Sequence, residues 1–318
     1  VPDVITLGEA LIDFVPTESG LSLAEVSGFS KRFGGAPANL AVGLARLGTD
    51  VGFIGKVGDD SFGDFIKAKL VREGVETSHV YRSHRAHTTL AFVSLSKEGE
   101  RDFIFYRNPG ADQLLMPPEI RKSYIAGANL FHFGSLSLTG EDSLEATKRA
   151  IDIARGSGVL VSMDPNIRFS LWEDDDHART RIMDTIDKVD ILKLSLEEAY
   201  FLSQQTDLHK ASRRLAGLGP DLLIITQGEK GSFCRCGQSV YQIGGYSVTV
   251  KDTTGAGDGF MAGFLDQIYG ELKHFPDLNE NTLSESLHFA NATAALTTTD
   301  YGAISSFPER KRVREFLQ

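Results

Sequence analysis

Short apolar runs alternate with amphipathic helical patterns along most of the 318 residues, and that alternation leaves few folds open. Residues 4–7 and 51–58 read as buried strands. Residues 37–48 carry Leu40, Leu44 and Leu47 on one helical face, and 62–74 repeat that pattern. The rhythm resumes through "ANLFHFGSL", "SLEATKRAIDIARGSG", "VLVSMDP", a helix around 176–187, "VDILKLS", "LEEAYFLSQ" and "DLLIITQG". Strand and helix at this spacing predict parallel βαβ units with helices on both faces of one sheet. Residues 14–33 lack helical periodicity. Residues 86–107 read as a hairpin, with Leu90, Phe92 and Leu95 leading in, a turn at 97–100, and Phe103 and Phe105 leading out. Such an insertion suggests a small β flap beyond the strand ends, where open α/β sheets bind ligands.

A length of 318 residues suits two domains, or one large α/β domain with an appendage. The formal net charge of −10 argues against a broad nucleic-acid surface, although one small basic pocket stays open. Cys234 and Cys236 are two apart on one strand face, without a second Cys or His pair nearby. They read as reduced cysteines of a cytoplasmic protein rather than metal ligands. No apolar run reaches the ~20 residues of a membrane span. The start "VITLGEALIDFVP" lacks a signal-peptide pattern, although a removed transit peptide would leave no trace.

Chemistry concentrates in "KDTTGAGDGFMAGFL", residues 251–265. "YSVTVKD" reads as a strand, and Phe260, Met261, Phe264, Leu265 and Ile268 give the following helix a buried face. Gly255, Ala256 and Gly257 therefore occupy a strand-to-helix turn. Bare N–H groups at a helix start can hold an anion; the plainer reading is an ordinary turn whose Asp258 complements the helix dipole. The segment lacks the Gly-Lys-Ser/Thr ending of a Walker loop. Phe260 stands where a dinucleotide fingerprint needs its last glycine, which excludes a Rossmann dehydrogenase. On this reading the dipole keeps Asp258 ionised and its pKa low. Phosphoryl transfer tolerates such a base, because the attacking hydroxyl must be placed more than deprotonated early.

A second segment, "FGGAPANLAVGLARLG" (33–48), enters a helix through Gly34, Gly35 and Pro37, with Asn39 facing the same space. Arg107 closes the hairpin and Arg168 follows a strand end in "DPNIR". Two such arginines could grip a phosphate or carboxylate, or simply lie at the surface. His84-x-x-His87 lacks companion carboxylates, residues 173–176 are a solvated acidic helix start, and Trp172 reads as packing.

The two glycine-rich segments together resemble the two signatures of the PfkB (ribokinase-like) sugar kinases. "GEALIDFVP", "FIGKVGDDSFG", "FHFGSLSL" and "DILKLSLEEAYFL" follow in the family's order. "FYRNPGADQLL" and "DPNIRFSLW" are similar to fructokinases. The resemblance implies a three-layer α/β/α core (1–13, 34–85 and 109–318) with a mostly parallel sheet, and a β lid (14–33 and 86–108). It implies Asp258 as catalytic base, with Gly255, Ala256 and Gly257 as the anion hole. Asp13, Gly34, Gly35 and Asn39 would bind the sugar, joined by Arg107 and Arg168. Thr226, Gly228, Glu198 and Asn291 would meet ATP, which brings Mg2+ through water-mediated contacts. Asp252, Thr254, Gly302 and Ser306 match positions that bind K+ in many relatives, although Asp252 could equally cap the turn. Ser195 departs from the family's Asn-x-x-Glu, while Glu198 keeps its last position. The implied activity is fructose phosphorylation, with 2-keto-3-deoxygluconate kinase and a non-catalytic scaffold as alternatives. The expected partners are a small sugar and a second copy paired through the lid, with no nucleic acid and no membrane.

Overall fold

The computed structural model describes residues 1–18, 20–95, 101–269 and 279–318. In chain order it begins with β1 (Val4–Leu7), β2 (Leu11–Pro16), β3 (Phe29–Gly34), α1 (Ala36–Leu47), β4 (Val51–Gly58), α2 (Ser61–Arg72), β5 (Val80–Ser83), β6 (Leu90–Leu95) and β7 (Arg101–Tyr106). There follow α3 (Lys122–Ile125), β8 (Leu130–Phe133), α4 (Glu141–Gly156), β9 (Leu160–Met163), α5 (Asp175–Ile186), β10 (Ile191–Ser195), α6 (Leu196–Ser203) and α7 (Leu208–Ala216). The chain ends with β11 (Leu222–Thr226), β12 (Ser232–Cys236), β13 (Ser239–Ile243), α8 (Ala256–Ile268), α9 (Glu280–Thr297), α10 (Ala303–Ser306) and α11 (Arg310–Phe316).

Nine strands form one sheet in the order β13-β12-β11-β10-β9-β8-β1-β4-β5. Pairing is parallel from β11 to β5, and β12 and β13 continue antiparallel at one edge. β1 and β4 are buried along their whole length, as strands covered on both faces must be. Leu40, Leu44, Phe264, Leu287 and Val313 pack helices α1, α8, α9 and α11 into one core cluster. Ile125, Ile151, Ile182, Leu202 and Leu215 pack α3 to α7 into the other. The result is a three-layer α/β/α fold, as the alternation predicts.

The second sheet has the order β3-β2-β6-β7. Its β6–β7 hairpin matches the sequence reading, and the expected turn at 97–100 lies outside the described residues. β2 starts at Leu11, only three residues beyond β1, so the chain passes directly from one sheet into the other. Phe14 stacks on Phe92 at 4.9 Å, and Phe29 and Tyr106 meet Phe92 edge-on.

One expectation fails. "YSVTVKD" forms no strand: β13 ends at Ile243, and the next residues run irregularly to the start of α8. Tyr246 is held by side chains instead, with its hydroxyl 2.9 Å from His288 Nδ1 and its ring against Phe316. Among the described residues no helix is long and apolar enough to cross a membrane, and both cysteines are free.

Strand order reverses direction at β1, between β8 and β4. The crevice beyond the carboxyl ends there is where such sheets receive ligands. Gly8 and Glu9 follow β1, Gly134 follows β8, Asp164 follows β9, and Ser195 and Thr226 end β10 and β11.

Candidate active site

Gly255 precedes α8 at φ 81°, in the left-handed region that favours glycine. A Cβ there would lie 2.5 Å from Ala303 Cβ and 2.8 Å from Ala303 Cα, so the turn presses on the backbone of α10. The Ala256 amide donates to the Thr253 carbonyl, and the helical ladder starts with Gly259 N on Gly255 O at 2.7 Å. The Gly257 and Asp258 amides fall between these bonds, among the donors a helix start offers to an anion.

Asp258 is only 7% exposed. Its Oδ2 accepts from Asn39 Nδ2 at 2.9 Å and its Oδ1 from Asn166 Nδ2 at 3.5 Å. Burial pushes this carboxyl above its ordinary pKa, against the bond from Asn39 and the charges of Lys193 and Arg168. The sequence reading expected the opposite, from the helix dipole. Desolvation outweighs a dipole effect that is worth only ~0.3–1 kcal/mol at exposed sites. A raised pKa makes Asp258 a better proton acceptor than that reading allowed.

Asp13 on β2 and Gly34 on β3 lie on neighbouring strands, and a Cβ on Gly34 would overlap Asp13 Oδ2. Gly35, at φ 104°, is pressed so closely to the Glu9 carbonyl that a side chain would overlap it. Asn39 lies in the first turn of α1, after Pro37. The loop that brings Gly34, Gly35 and Asn39 together is thus connected to Asp258 through the Asn39 amide.

Glu9 completes this loop, and the sequence reading passed over it. Its Oε1 accepts from Ala36 N at 2.8 Å, capping α1 from a distance because Gly35 has no side chain to do so. Oε2 is buried without a hydrogen-bond partner, and burial pushes the carboxyl up to about 7. A folded pKa above the unfolded value of ~4.3 means the group binds more protons when folded, so stability falls as pH rises from ~4.3 to about 7. Glu9→Gln keeps the acceptor for Ala36 but cannot ionise. Relative to wild type, urea melts should show the variant gaining about 2 kcal/mol between pH 5.5 and 8. An unchanged difference between the two pH values would show that Glu9 does not titrate this way.

Thr226, Gly228, Gly257 and Asn291 line one cavity of about 530 Å3, bounded also by Tyr246, Val250 and Ala256. Asn291 Nδ2 donates to Ser232 Oγ at 3.0 Å, tying α9 to β12. Glu198 lies outside this lining. Its Oε1 accepts from Ile167 N at 2.7 Å and its Oε2 from Ser195 N at 2.8 Å, while Ser195 Oγ caps the Glu198 amide. Ser195 is thus the N-cap of α6, paired with Glu198 in a capping box. A separate cleft of about 580 Å3, outside α4, is lined by residues such as Lys148, Asp152 and Lys188 and shares none of the cavity's residues.

The two arginines separate. Arg168, half-buried after β9, donates to Asn166 Oδ1 at 2.6 Å, and its charge reaches Asp258. Arg107 is buried. It donates to Asp112 Oδ2 at 2.8 and 2.5 Å, to Thr139 Oγ1 at 2.7 Å and to the Leu136 carbonyl at 3.0 Å. Asp252 Oδ1 accepts from the Thr254 amide and hydroxyl, and Oδ2 accepts from Gly302 N at 2.8 Å. The Ser306 hydroxyl donates to the Gly302 carbonyl, so the four candidate cation residues meet at one junction beside the turn.

Three more side chains went unnoticed in the sequence. Lys193 donates to Asp164 Oδ2 at 2.7 Å, and both side chains are 6% exposed. Burial raises the Asp164 pKa. Burial alone would lower Lys193, but the charges of Asp164, Glu198 and Asp258 outweigh it and hold the ammonium protonated. His132 sits beside Ser162 Oγ at 3.1 Å, and burial with the Lys193 charge lowers it to about 3, keeping the ring neutral. Asp164, His132 and Asp258 line one small void with Met261.

Comparison with known proteins bears on this arrangement. The model of the pfkB family carbohydrate kinases matches residues 1–310. "Probable fructokinase-6, chloroplastic" of Arabidopsis thaliana is 45% identical over 320 residues, covering 99% of this chain and 82% of that protein. The structure of a fructokinase from Xylella fastidiosa with bound ATP has a TM-score of 0.91 at 32% identity, covering 100% of this chain and 99% of the other. A fructokinase double mutant from Vibrio cholerae O395, in a form with fructose, ADP and potassium ion bound, has a TM-score of 0.90 at 31% identity. It covers 99% of this chain and 98% of its own.

Proposed function

Since the chain belongs to the pfkB family of carbohydrate kinases and is an ATP-dependent sugar kinase, we propose that its sugar is fructose and its products are ADP and fructose 6-phosphate. The observation that carries this reading is the Asn39–Asp258 bond, which joins the Gly34-Gly35 loop to the anion turn at one buried carboxylate. Similarity to proteins named fructokinase, and to one structure with fructose and ADP bound, supports the choice of sugar.

In this mechanism Asp13, Gly34, Gly35 and Asn39 hold the sugar, and ATP fills the cavity of Thr226, Gly228 and Asn291. The sugar hydroxyl attacks the γ-phosphorus in line. An O–P bond forms, the bond to the β-phosphate oxygen breaks, and the hydroxyl proton passes to Asp258. The Gly255–Gly257 turn stabilises the charge on the transferring group. Among the described residues no three His, Cys, Asp or Glu side chains are grouped to hold a metal. A Mg2+ here would be held mainly through waters and ATP phosphates, with Glu198 as the nearby carboxylate, and would supply charge neutralisation when bound. A monovalent cation at Asp252, Thr254, Gly302 and Ser306 would steady the turn from outside.

Arg107 favours fructose over 2-keto-3-deoxygluconate. Gripping a substrate carboxylate takes free guanidinium edges, and those of Arg107 are committed to Asp112, Thr139 and Leu136. Arg107 then positions the end of the hairpin, and Arg168 faces the reacting hydroxyl. The small sheet acts as the lid, and exposed Ile104 and Tyr106 on its outer strand are where a second copy would pair. Reduced cysteines suit the cytoplasm or, as the name of the Arabidopsis relative suggests, a plastid. The test is ADP release with fructose, ribose, adenosine and 2-keto-3-deoxygluconate offered separately. Fructose should support turnover and the others little; turnover with none of them would favour a non-catalytic role.

A further inference from the structure

Lys193 has no task in the mechanism above, yet it is a buried cation against the anion turn. It lies near the carboxyl end of β10, and Asp164 is its hydrogen-bond acceptor at 2.7 Å. An ammonium has three donors, so two remain for another acceptor. A Cβ on Gly257 would lie 3.0 Å from Nζ, which sets the ammonium beside the turn's last residue. The groups facing it are the carboxylates of Asp164, Glu198 and Asp258, with neutral His132 nearby.

That charge pattern poses a problem for the turn. A helix start carries about half a positive charge, and an ionised Asp258 in its first turn more than cancels it. Asp164 and Glu198 add negative charge, and Arg168 is the other cation acting on Asp258. Without Lys193 the protein's own charges beside the turn would sum to negative, against the incoming phosphates. With it, a cation stands beside the turn that offers the Gly257 and Asp258 amides.

We propose that Lys193 is a catalytic residue, whose ammonium contacts the transferring phosphoryl group while Asp164 holds it in place. The contact neutralises charge on the equatorial oxygens and transfers no proton, so the proton still goes to Asp258. Gly257 is glycine on this account because a side chain would stand against the ammonium. This inference rests on the kinase reading.

The test compares wild type, K193M, K193R and the double variant K193M/D164N. The double variant removes both buried charges, so it remains informative if K193M alone fails to fold. Steady-state kinetics from pH 5.5 to 9 should show kcat with fructose falling about 10²–10³-fold in K193M and in the double variant. The loss should persist on the high-pH plateau, above the Asp258 limb that removal of the Lys193 charge shifts upward; KM for fructose should stay within about threefold, and K193R should recover part of the rate. Affinity for ADP with fluoroaluminate and fructose should fall more than affinity for ADP alone. A K193M rate within threefold of wild type overturns the inference. So does a loss that disappears at high pH, because Lys193 would then act only by tuning Asp258. If wild type turns over ATP with none of the four acceptors offered above, the kinase reading fails and takes the inference with it; turnover with another acceptor moves the same kinetics to that substrate.

Discussion

Replacing Asp258 with asparagine should lower kcat with fructose by about 10³-fold or more, since a positioned base contributes ~10²–10⁴ and asparagine cannot accept the proton. The side chains are nearly the same size, and the amide oxygen can still accept from Asn39 Nδ2 at the 2.9 Å now seen for Oδ2. KM for fructose and affinity for ADP should therefore stay within about threefold, the pattern of an interaction made mainly in the transition state. Burial raises the Asp258 pKa, so wild-type kcat should rise with pH along a limb lying above the ordinary carboxylate range. The variant should lack that limb. Steady-state kinetics of both proteins from pH 5 to 9 checks this, and a variant within tenfold of wild type would remove Asp258 from the reaction.

Gly255→Ala should produce the next largest effect, through the backbone. A non-glycine residue at φ 81° costs ~1–2 kcal/mol. The added methyl would also lie 2.8 Å from Ala303 Cα, which belongs to the α10 backbone and cannot turn aside. The turn must then move, and its amides lose their aim. We expect kcat to fall about 10²–10³-fold, the loss seen when a preorganised donor is removed. Thermal unfolding should drop by several degrees. Gly158→Ala separates the two effects, because Gly158 has φ 73° with nothing within 4 Å of its added Cβ. That control should lose a little stability and no rate. Equal rates in the two variants would mean the 255 turn is not catalytic.

How much of this was legible follows from what is local. Strands covered on both faces write continuous apolar runs, as in β4, where every residue from Val51 to Gly58 is buried. The buried face of α8, from Phe260 to Ile268, is written at helical spacing. Residues 246–250 mislead for a related reason. Tyr246 and Val248 are half-buried while Ser247 and Thr249 are exposed, so the segment alternates like a strand without having a strand beside it.

The site shows the same division. Gly255, Gly34 and Gly35 could be read because glycine is a local answer to a local backbone demand. The raised pKa of Asp258 could not, since it depends on burial among α1, His132, Gly134 and Asp164. Glu9, Asp164 and Lys193 depend on pairs 27 and 29 residues apart, Glu9 with Ala36 and Asp164 with Lys193. A signal was present nevertheless. Each is a charge set in or against an apolar run, in "LGEA", "SMDP" and "DILKLS". A charge buried there needs a partner. Arg107 is the converse case, since nothing near it in sequence shows that Thr139 and Leu136 also take up its donors.

The most direct test of the whole account is the identity of the phosphorylated product under competition. Wild type would be given ATP, Mg2+ and equal concentrations of fructose and 2-keto-3-deoxygluconate, and followed by phosphorus NMR. A new ester should appear on the 6-oxygen of fructose, formed in step with ADP, with the keto acid left unreacted. An ester on the keto acid, or inorganic phosphate as the sole product, would contradict it.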